Sequence, residues 1–492
     1  MIIPYLVIIP LAAGFLIVLL GRKNKVLPEL IALTATFSLL AISLLLFPMI
    51  ESEGGAILYE LSGWKIPYTI SFVIDYLSAF LVTMVSALAV LSTIYSVGYM
   101  RKFSGIWNYY ALLMLMITGL NGVAITGDLF NLFVFMEIAL IATYALVAFH
   151  GEAEHYEAAF KYAIMSSLSS SLVLFGIGCV YSMTSSLTLM QISNKMIGVG
   201  ETNLVYALFL TGFGLKAAMF PFHSWLPDAH PSAPSPVSAM LSGVLIKVLG
   251  AYTLIRVFYM VFGVSELVKE LFLIFGTLSM VIGALVAVMQ KDIKRMLGFS
   301  SVSQMGYIIF ALGIGTPLGV LGAIYHMLNH AVLKGLLFMD AGAVELIEGT
   351  RDMEEMKGVS DRTTYVTSLM ASLGISGVPP FGGFFSKLII ITAAIYTGKF
   401  IYAIIALAVS VITLGYYLGM LKKAFRKRNK EVNDKGSLPA SLKIPMIILA
   451  VLTLATALFY VPVVRENILE KVVSCITDRT AYIALFTAGG GR

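Results

Sequence analysis

Leu129-Phe-Asn-Leu-Phe-Val-Phe-Met-Glu137-Ile-Ala-Leu-Ile-Ala-Thr-Tyr-Ala-Leu-Val-Ala-Phe149 decides the class of this chain. A helix needs about 20 apolar residues to cross the hydrocarbon of a bilayer, and this run supplies that length with one charge inside it. Working outward, Ile2–Leu20, Leu30–Phe47 and Ile401–Tyr417 are further apolar runs with almost no charge. Of 492 residues, 59% are hydrophobic and 12% charged, and the mean hydropathy is +0.92. Soluble proteins carry about 25% charged residues, so this composition argues against a soluble enzyme or a nucleic-acid binder. The first apolar run starts without a basic leader and reads as a retained helix rather than a signal peptide. Cys179 and Cys475 make neither a disulfide framework nor a metal quartet.

Breaks at charged or Pro/Gly-rich residues predict an all-α polytopic membrane protein of about fourteen helices. They fall near 2–21, 28–48, 69–97, 108–126, 129–149, 158–181, 203–220, 235–262, 268–289, 299–315, 318–343, 364–396, 401–421 and 442–463. Helices are required because lipid offers no partner to an open backbone. With the amino terminus outside, 20 of the 33 Lys and Arg residues fall in inner loops, 8 outside and five within spans. That bias predicts both termini outside. The net charge of +6 is therefore topological, and the cluster Lys422–Lys430 is placed to meet anionic headgroups. After Val464 the tail is short and mixed in charge, and no soluble domain is expected.

A charge inside hydrocarbon costs several kcal/mol, so such residues mark pathways or buried pairs. Glu137 sits near the centre of the fifth span and must find a cation across a helix interface or hold a proton. Lys216 lies in Gly212-Phe-Gly-Leu-Lys216-Ala-Ala-Met-Phe-Pro221, where the proline breaks the helix. Discontinuous helices expose free backbone groups at mid-membrane, where transporters bind ions. Lys247 is deep in the eighth span and is read as a relay. Arg256, nearer the outer end of that span, is read as structural and able to snorkel. His326, His330 and Lys334 are spaced by four and share one helix face, a relay rather than a metal site. Met327 follows the first histidine, where a zinc-protease pattern needs a glutamate.

Lys387 follows Ser376-Gly-Val-Pro-Pro-Phe-Gly-Gly-Phe-Phe-Ser, a second interruption beside a buried lysine. The two breaks predict a weak internal repeat, spans four to eight (108–262) and nine to thirteen (263–421). A three-helix segment (1–107) precedes them, and a basic loop, last helix and outer tail (422–492) follow. Asp75, Asp128, Asp228, His230 and Asp340 lie nearer span ends and suit caps, loops or a proton mouth. Ser166–Ser171, Ser300–Ser303 and Gln304 suit helix packing or water lining. No phosphate-binding loop, cysteine cluster, haem ligand pair or dinucleotide fingerprint is present, so no cofactor and no electron transfer are expected.

Gly127-Asp-Leu-Phe-Asn-Leu-Phe-Val-Phe-Met-Glu137, Lys216-Ala-Ala-Met-Phe-Pro-Phe-His-Ser-Trp-Leu-Pro-Asp-Ala-His230 and Gly377-Val-Pro-Pro-Phe-Gly-Gly-Phe-Phe-Ser-Lys387 resemble the antiporter-like family. It includes the D-type subunits of Mrp-type cation/proton antiporters, the M- and N-type chains of respiratory complex I, and the equivalent subunit of membrane-bound hydrogenases. The resemblance implies fourteen helices in which two five-helix repeats are inverted, with helices seven and twelve broken. It implies that Glu137 pairs with Lys216, that Lys247 belongs to a central hydrophilic axis, and that His326, His330, Lys334 and Lys387 continue it. Where the family often has a histidine after the serines of the tenth helix, this chain has Gln304, so a step there uses water or bypasses it. Lys387, where the M-type chains usually have glutamate, and the short tail favour the Mrp D-type, hydrogenase or complex I N-type members.

The implied function is proton translocation in a prokaryotic cell membrane, within a multisubunit antiporter or redox complex, the chain not being catalytic alone. Other membrane subunits and the lipid bilayer are the expected partners, with Na⁺ travelling through a neighbouring subunit. Two alternatives stand beside it. Direct Na⁺ conduction needs a pocket of carboxylates and carbonyls, which a lysine-dominated axis disfavours. An inert scaffold would leave five basic residues inside spans as unrewarded cost.

Overall fold

A computed structural model describes residues 2–24, 26–66, 68–197, 202–425 and 438–489. In chain order the first helices are α1 (Tyr5–Leu20), α2 (Val26–Ser52), α3 (Tyr76–Tyr99), α4 (Ile106–Ile125), α5 (Leu129–Val147), α6 (Ala153–Thr184), α7 (Leu189–Lys195), α8 (Asn203–Lys216) and α9 (Trp225–Ser232). Then come α10 (Ser235–Val261), α11 (Glu266–Val288), α12 (Ile293–Gly313), α13 (Pro317–Glu348), α14 (Arg362–Ser376), α15 (Gly382–Tyr396), α16 (Phe400–Phe425) and α17 (Ala440–Ala455). The tail forms α18 (Pro462–Arg465), α19 (Lys471–Thr477) and α20 (Arg479–Gly489).

Among the described residues ten helices are long and apolar enough to cross a membrane, and the chain is a polytopic, essentially all-α membrane protein. The other predicted spans differ for physical reasons. The helices α1 and α15 are apolar but shorter, α8 and α14 stop at backbone breaks, and α13, the span expected over 318–343, is long enough at 32 residues but is made more polar by His326, Asn329, His330, Lys334 and Asp340. The single helix expected over 364–396 is two, separated by Gly377–Phe381. That expected over 203–220 ends at Lys216, ahead of the turns that contain Pro221.

Two expectations change locally. Residues 71–75, read as the start of a helix, form strand β2 (Ser71–Asp75), antiparallel to β1 (Ala56–Glu60). In place of a regular α-helix, the middle of α10 winds as π-helix over Leu241–Leu245, Lys247–Tyr252 and Ile255–Val261. Such windings are rare and recur at functional sites. Several of the α-helices begin where a side chain satisfies a free backbone amide. Asp75, Asp128, Asp292 and Asp361 each accept from an amide three residues on, at 2.8, 2.7, 2.9 and 2.9 Å.

Ion pairs sew the loops of one face together. Asp228 meets Lys161 at 3.4 Å and Arg295 at 2.6 Å, Asp292 meets Arg351 at 3.3 Å, and Glu354 meets Lys423 at 2.7 Å. We call this the basic face. Of the cationic cluster expected there, Arg426–Lys430 and Lys435 lie outside the described residues, as do Lys25 and Arg492. On the opposite face the tail is helical and docked rather than a simple extension: Lys471 pairs with Glu51 at 2.8 Å, and Arg479 donates to Ser193 O at 2.5 Å.

Helices α11 and α12 approach most closely along paired glycines. A Cβ on Gly306 would lie 2.5 Å from Met280 N and 2.7 Å from Gly276 O, and one on Gly283 2.6 Å from Ser303 N. Small residues give such backbone approach in membranes, where packing replaces the hydrophobic drive. Gly306→Val is expected to destabilise the fold by about 1–3 kcal/mol through overpacking. Gly415→Ala, whose new methyl meets open space, is expected to melt with the parent. Thermal unfolding in detergent checks both, and an unshifted Gly306→Val would refute this packing.

Candidate functional site

The break after α8 places Lys216, 2% exposed, at the helix end. Its Nζ donates to Ser166 O at 2.9 Å and to Ser170 Oγ at 3.0 Å. Ser170 Oγ in turn donates to Glu137 Oε1 on α5. Lysine and carboxylate are thus joined through one hydroxyl, with no direct ion pair between them among the described residues. Glu137 is also less enclosed than a mid-span carboxylate was expected to be: it is half-buried, beside the exposed Val134 and Ile141 on the outer side of α5.

The π-wound helix α10 lies between that break and α13. A Cβ on Gly250 would fall 2.6 Å from Ala217 Cβ, next to Lys216, and one on Gly243 would fall 3.4 Å from Ala331 O, next to His330. Lys247, fully buried between these two contacts, donates to Ser242 O, and Ser242 Oγ shares a hydrogen with Ser301 Oγ on α12 at 2.6 Å. No hydrogen bond joins Lys247 directly to Lys216, His326, His330 or Lys334 among the described residues.

In the second half, the break between α14 and α15 carries Lys387. Its Nζ donates to Ile375 O at 2.8 Å and sits 4.7 Å from the centre of the Tyr307 ring. Tyr307 lies 5.5 Å from the His326 ring, whose Nδ1 shares a hydrogen with Ser386 Oγ, beside Lys387, at 3.0 Å. His326 and His330 stack at 6.2 Å. Lys334 turns from them to Leu297 O at 2.9 Å and Tyr417 Oη at 3.1 Å. The structure therefore brings Lys387, His326 and His330 into one group, and Glu137 and Lys216 into another, with Lys247 between.

The remaining ionisable residues divide. Asp75 and Asp128 are caps, and Asp228 is held by two surface cations. His230 is fully buried, stacked 4.2 Å from Phe338, with neither ring nitrogen hydrogen-bonded among the described residues. The ring nitrogens of His330, the side-chain amide of Gln304 and one oxygen each of Asn329 and Asp340 likewise have no hydrogen-bond partner among the described residues. Arg256 does not snorkel. It is 1% exposed and bidentate to Asp75, because a carboxylate inside the protein supplies what the interface otherwise would. Sequence reasoning missed Ser386 beside His326, Tyr307 beside Lys387 and Tyr417 beside Lys334, and among 24 tyrosines nothing singles these two out.

Residues 126–413 match the family described as "NADH:quinone oxidoreductase/Mrp antiporter, TM", and residues 63–110 match "NADH-Ubiquinone oxidoreductase (complex I), chain 5 N-terminus". The D-type subunit of the Na(+)/H(+) antiporter of Alkalihalophilus pseudofirmus is 31% identical, over 97% of this chain and 98% of that one. The N-type subunit of the NADH-quinone oxidoreductase of Desulforudis audaxviator is also 31% identical, over 95% and 97%. A chain of the Mrp complex from Dietzia sp. superposes with a TM-score of 0.90 at 26% identity, over 99% of both chains. A chain of an archaeal membrane-bound sulfane sulfur reductase does so with 0.89 at 30% identity, over 97% and 98%. With its length, its buried cations and both helix breaks inside the matched region, the chain belongs to the NADH:quinone oxidoreductase/Mrp antiporter family of membrane proteins.

Proposed function

We propose that this chain is the proton-translocating subunit of a multisubunit complex in a prokaryotic cell membrane. It crosses fourteen times, with the basic face inside and both termini outside. Two inverted repeats, 108–262 and 263–421, each contribute one broken helix and its lysine, Lys216 or Lys387. The observation that carries the reading is the series Glu137, Ser170, Lys216 at the end of α8. Desolvation penalises a buried ammonium, and a nearby carboxylate compensates. When a neighbouring subunit's cation or an arriving proton neutralises Glu137, Lys216 loses that support and gives up its proton.

The proton then passes by water and Lys247 toward His330, His326 and Lys387. Unpartnered polar atoms on Gln304, Asn329 and His330 support water along this route, since a buried polar group without a hydrogen bond is costly and internal water relieves it. The half-exposed position of Glu137 supports control from a neighbouring subunit. Na⁺, where exchanged, travels through another subunit. The likeness to both antiporter and quinone-reductase subunits leaves the driving module to the partners. Isolating the intact complex and measuring its subunits and iron assigns that module.

Glu137→Ala is expected to abolish coupled transport in inverted vesicles while the complex still assembles. The part-exposed carboxylate accepts one hydroxyl hydrogen bond, so its removal leaves only Ser170 to re-pair. Full activity in that variant would overturn the proposal.

A further inference from the structure

A second hydrogen-bonded series leaves Lys334 in a direction the axis does not use. Beyond Lys334, Tyr417 Oη and Ser300 Oγ lie 2.9 Å apart, and Tyr416 Oη donates to Ser300 Oγ at 2.8 Å. Lys334, Tyr417 and Ser300 are fully buried. Tyr416 lines a cavity of about 340 Å³ between α11, α12 and α16. The cavity has a polar rim on the basic face, Gln290 and Lys423, the latter paired with Glu354. Its α16 wall includes Gly415 and Gly419, where an added Cβ would meet nothing within 4 Å. The rest of the lining is apolar apart from Tyr416, and at about 30 Å³ per molecule the space has room for several waters strung between Gln290, Lys423 and Tyr416.

We infer that this cavity is a separate proton entrance from the basic face, loading Lys334 through Tyr416, Ser300 and Tyr417 without passage past Lys216. It rests on the proton-translocation reading above. The step balances atom by atom. A hydronium in the cavity gives a proton to Tyr416 Oη as the original Tyr416 proton passes to Ser300 Oγ. The Ser300 proton passes to Tyr417 Oη, and the Tyr417 proton to the neutral amine of Lys334. Four O–H bonds break, one of them the hydronium's, three O–H bonds and one N–H bond form, and water is left in the cavity. The hydroxyls then rotate to receive again. Lys334 Nζ and Tyr417 Oη, 3.1 Å apart, are within the hydrogen-bond reach that the last transfer needs. Lys334 is four residues from His330 on one helix face, and water bridging to the His330 ring nitrogens, which have no partner among the described residues, carries a proton loaded there on to the histidines.

The test uses the intact complex in proteoliposomes. Gly419→Trp fills the cavity from its open wall, and Tyr416→Phe removes the first hydroxyl while keeping the ring. Each is expected to lower proton transport at least tenfold, with assembly and thermal unfolding as in the parent, and Gly419→Ala to keep the parent rate. Undiminished transport in either Gly419→Trp or Tyr416→Phe, with Lys216→Met still inactive, overturns the entrance and leaves the main reading standing. Loss with Gly419→Trp but not Tyr416→Phe assigns the groove to a lipid chain and likewise overturns it. Full transport in Lys216→Met as well would instead refute proton translocation through this chain.

Discussion

Lys216→Met is expected to abolish transport, by about 10²-fold or more, which is the scale on which a positioned proton donor contributes. Methionine keeps the length and apolar stem of lysine but cannot carry a proton. The folded chain has little to lose. Lys216 makes two hydrogen bonds, to Ser166 O and Ser170 Oγ, and Ser170 retains its bond to Glu137. Replacing a desolvated charge by an apolar side chain of similar volume is often neutral in stability. Loss of function with retained assembly is therefore the expected signature. Lys216→Arg sharpens the test, because guanidinium keeps the positive charge but does not deprotonate inside a protein. A site needing only fixed charge would accept arginine, whereas one that releases a proton would not. Proton uptake by reconstituted complex is the measurement, and parent rates in both variants would restore the scaffold alternative.

Buried cations were legible because their cost is large and their setting plain. Lys216, Lys247, Lys334 and Lys387 stand out in apolar runs, and the first and last stand out again beside Pro221 and Pro379-Pro380. What they bind was not legible. The hydroxyls of Ser170, Ser386 and Tyr417 reach their partners from 46, 60 and 83 residues away, and no local spacing encodes that. The hairpin strand Ser71-Phe-Val-Ile-Asp75 escaped because a short apolar run before a helix has no period of its own. The π-winding of α10 escaped for a related reason. Gly243 lets that helix close on Leu88 of α3 and Gly250 on the α8 break, but a glycine in a membrane helix reads first as ordinary packing. Glu137 lies on the expected helix, and only the packed structure shows that the residue is half-buried beside exposed apolar side chains rather than sealed between helices.

Asp75→Asn is expected to cost about 3–5 kcal/mol of stability, the usual penalty for breaking a buried ion pair by removing one partner. Asp75 closes strand β2, caps α3 through Ser78 N, and meets both terminal nitrogens of Arg256 at 2.5 and 3.0 Å. Ser78 Oγ and Tyr252 Oη complete the guanidinium's shell at 2.9 and 3.1 Å, and the Tyr482 ring of α20 lies 5.5 Å from it. Both charges are 2% exposed. Asparagine still caps α3 but leaves a guanidinium that neither sheds its proton nor reaches water. The double variant Asp75→Asn, Arg256→Met removes that orphan charge and is expected to be more stable than Asp75→Asn alone, a positive coupling in a double-mutant cycle. Thermal unfolding of all four proteins in one detergent measures it. Additive losses, or an Asp75→Asn variant that melts with the parent, would show that the pair does not hold the start of α3 and the end of α10 together. With coupling present, the damage should also reach the tail, since Tyr482 and Cys475 border the same pocket as Asp75, and α19 and α20 would lose the charged seat they pack against.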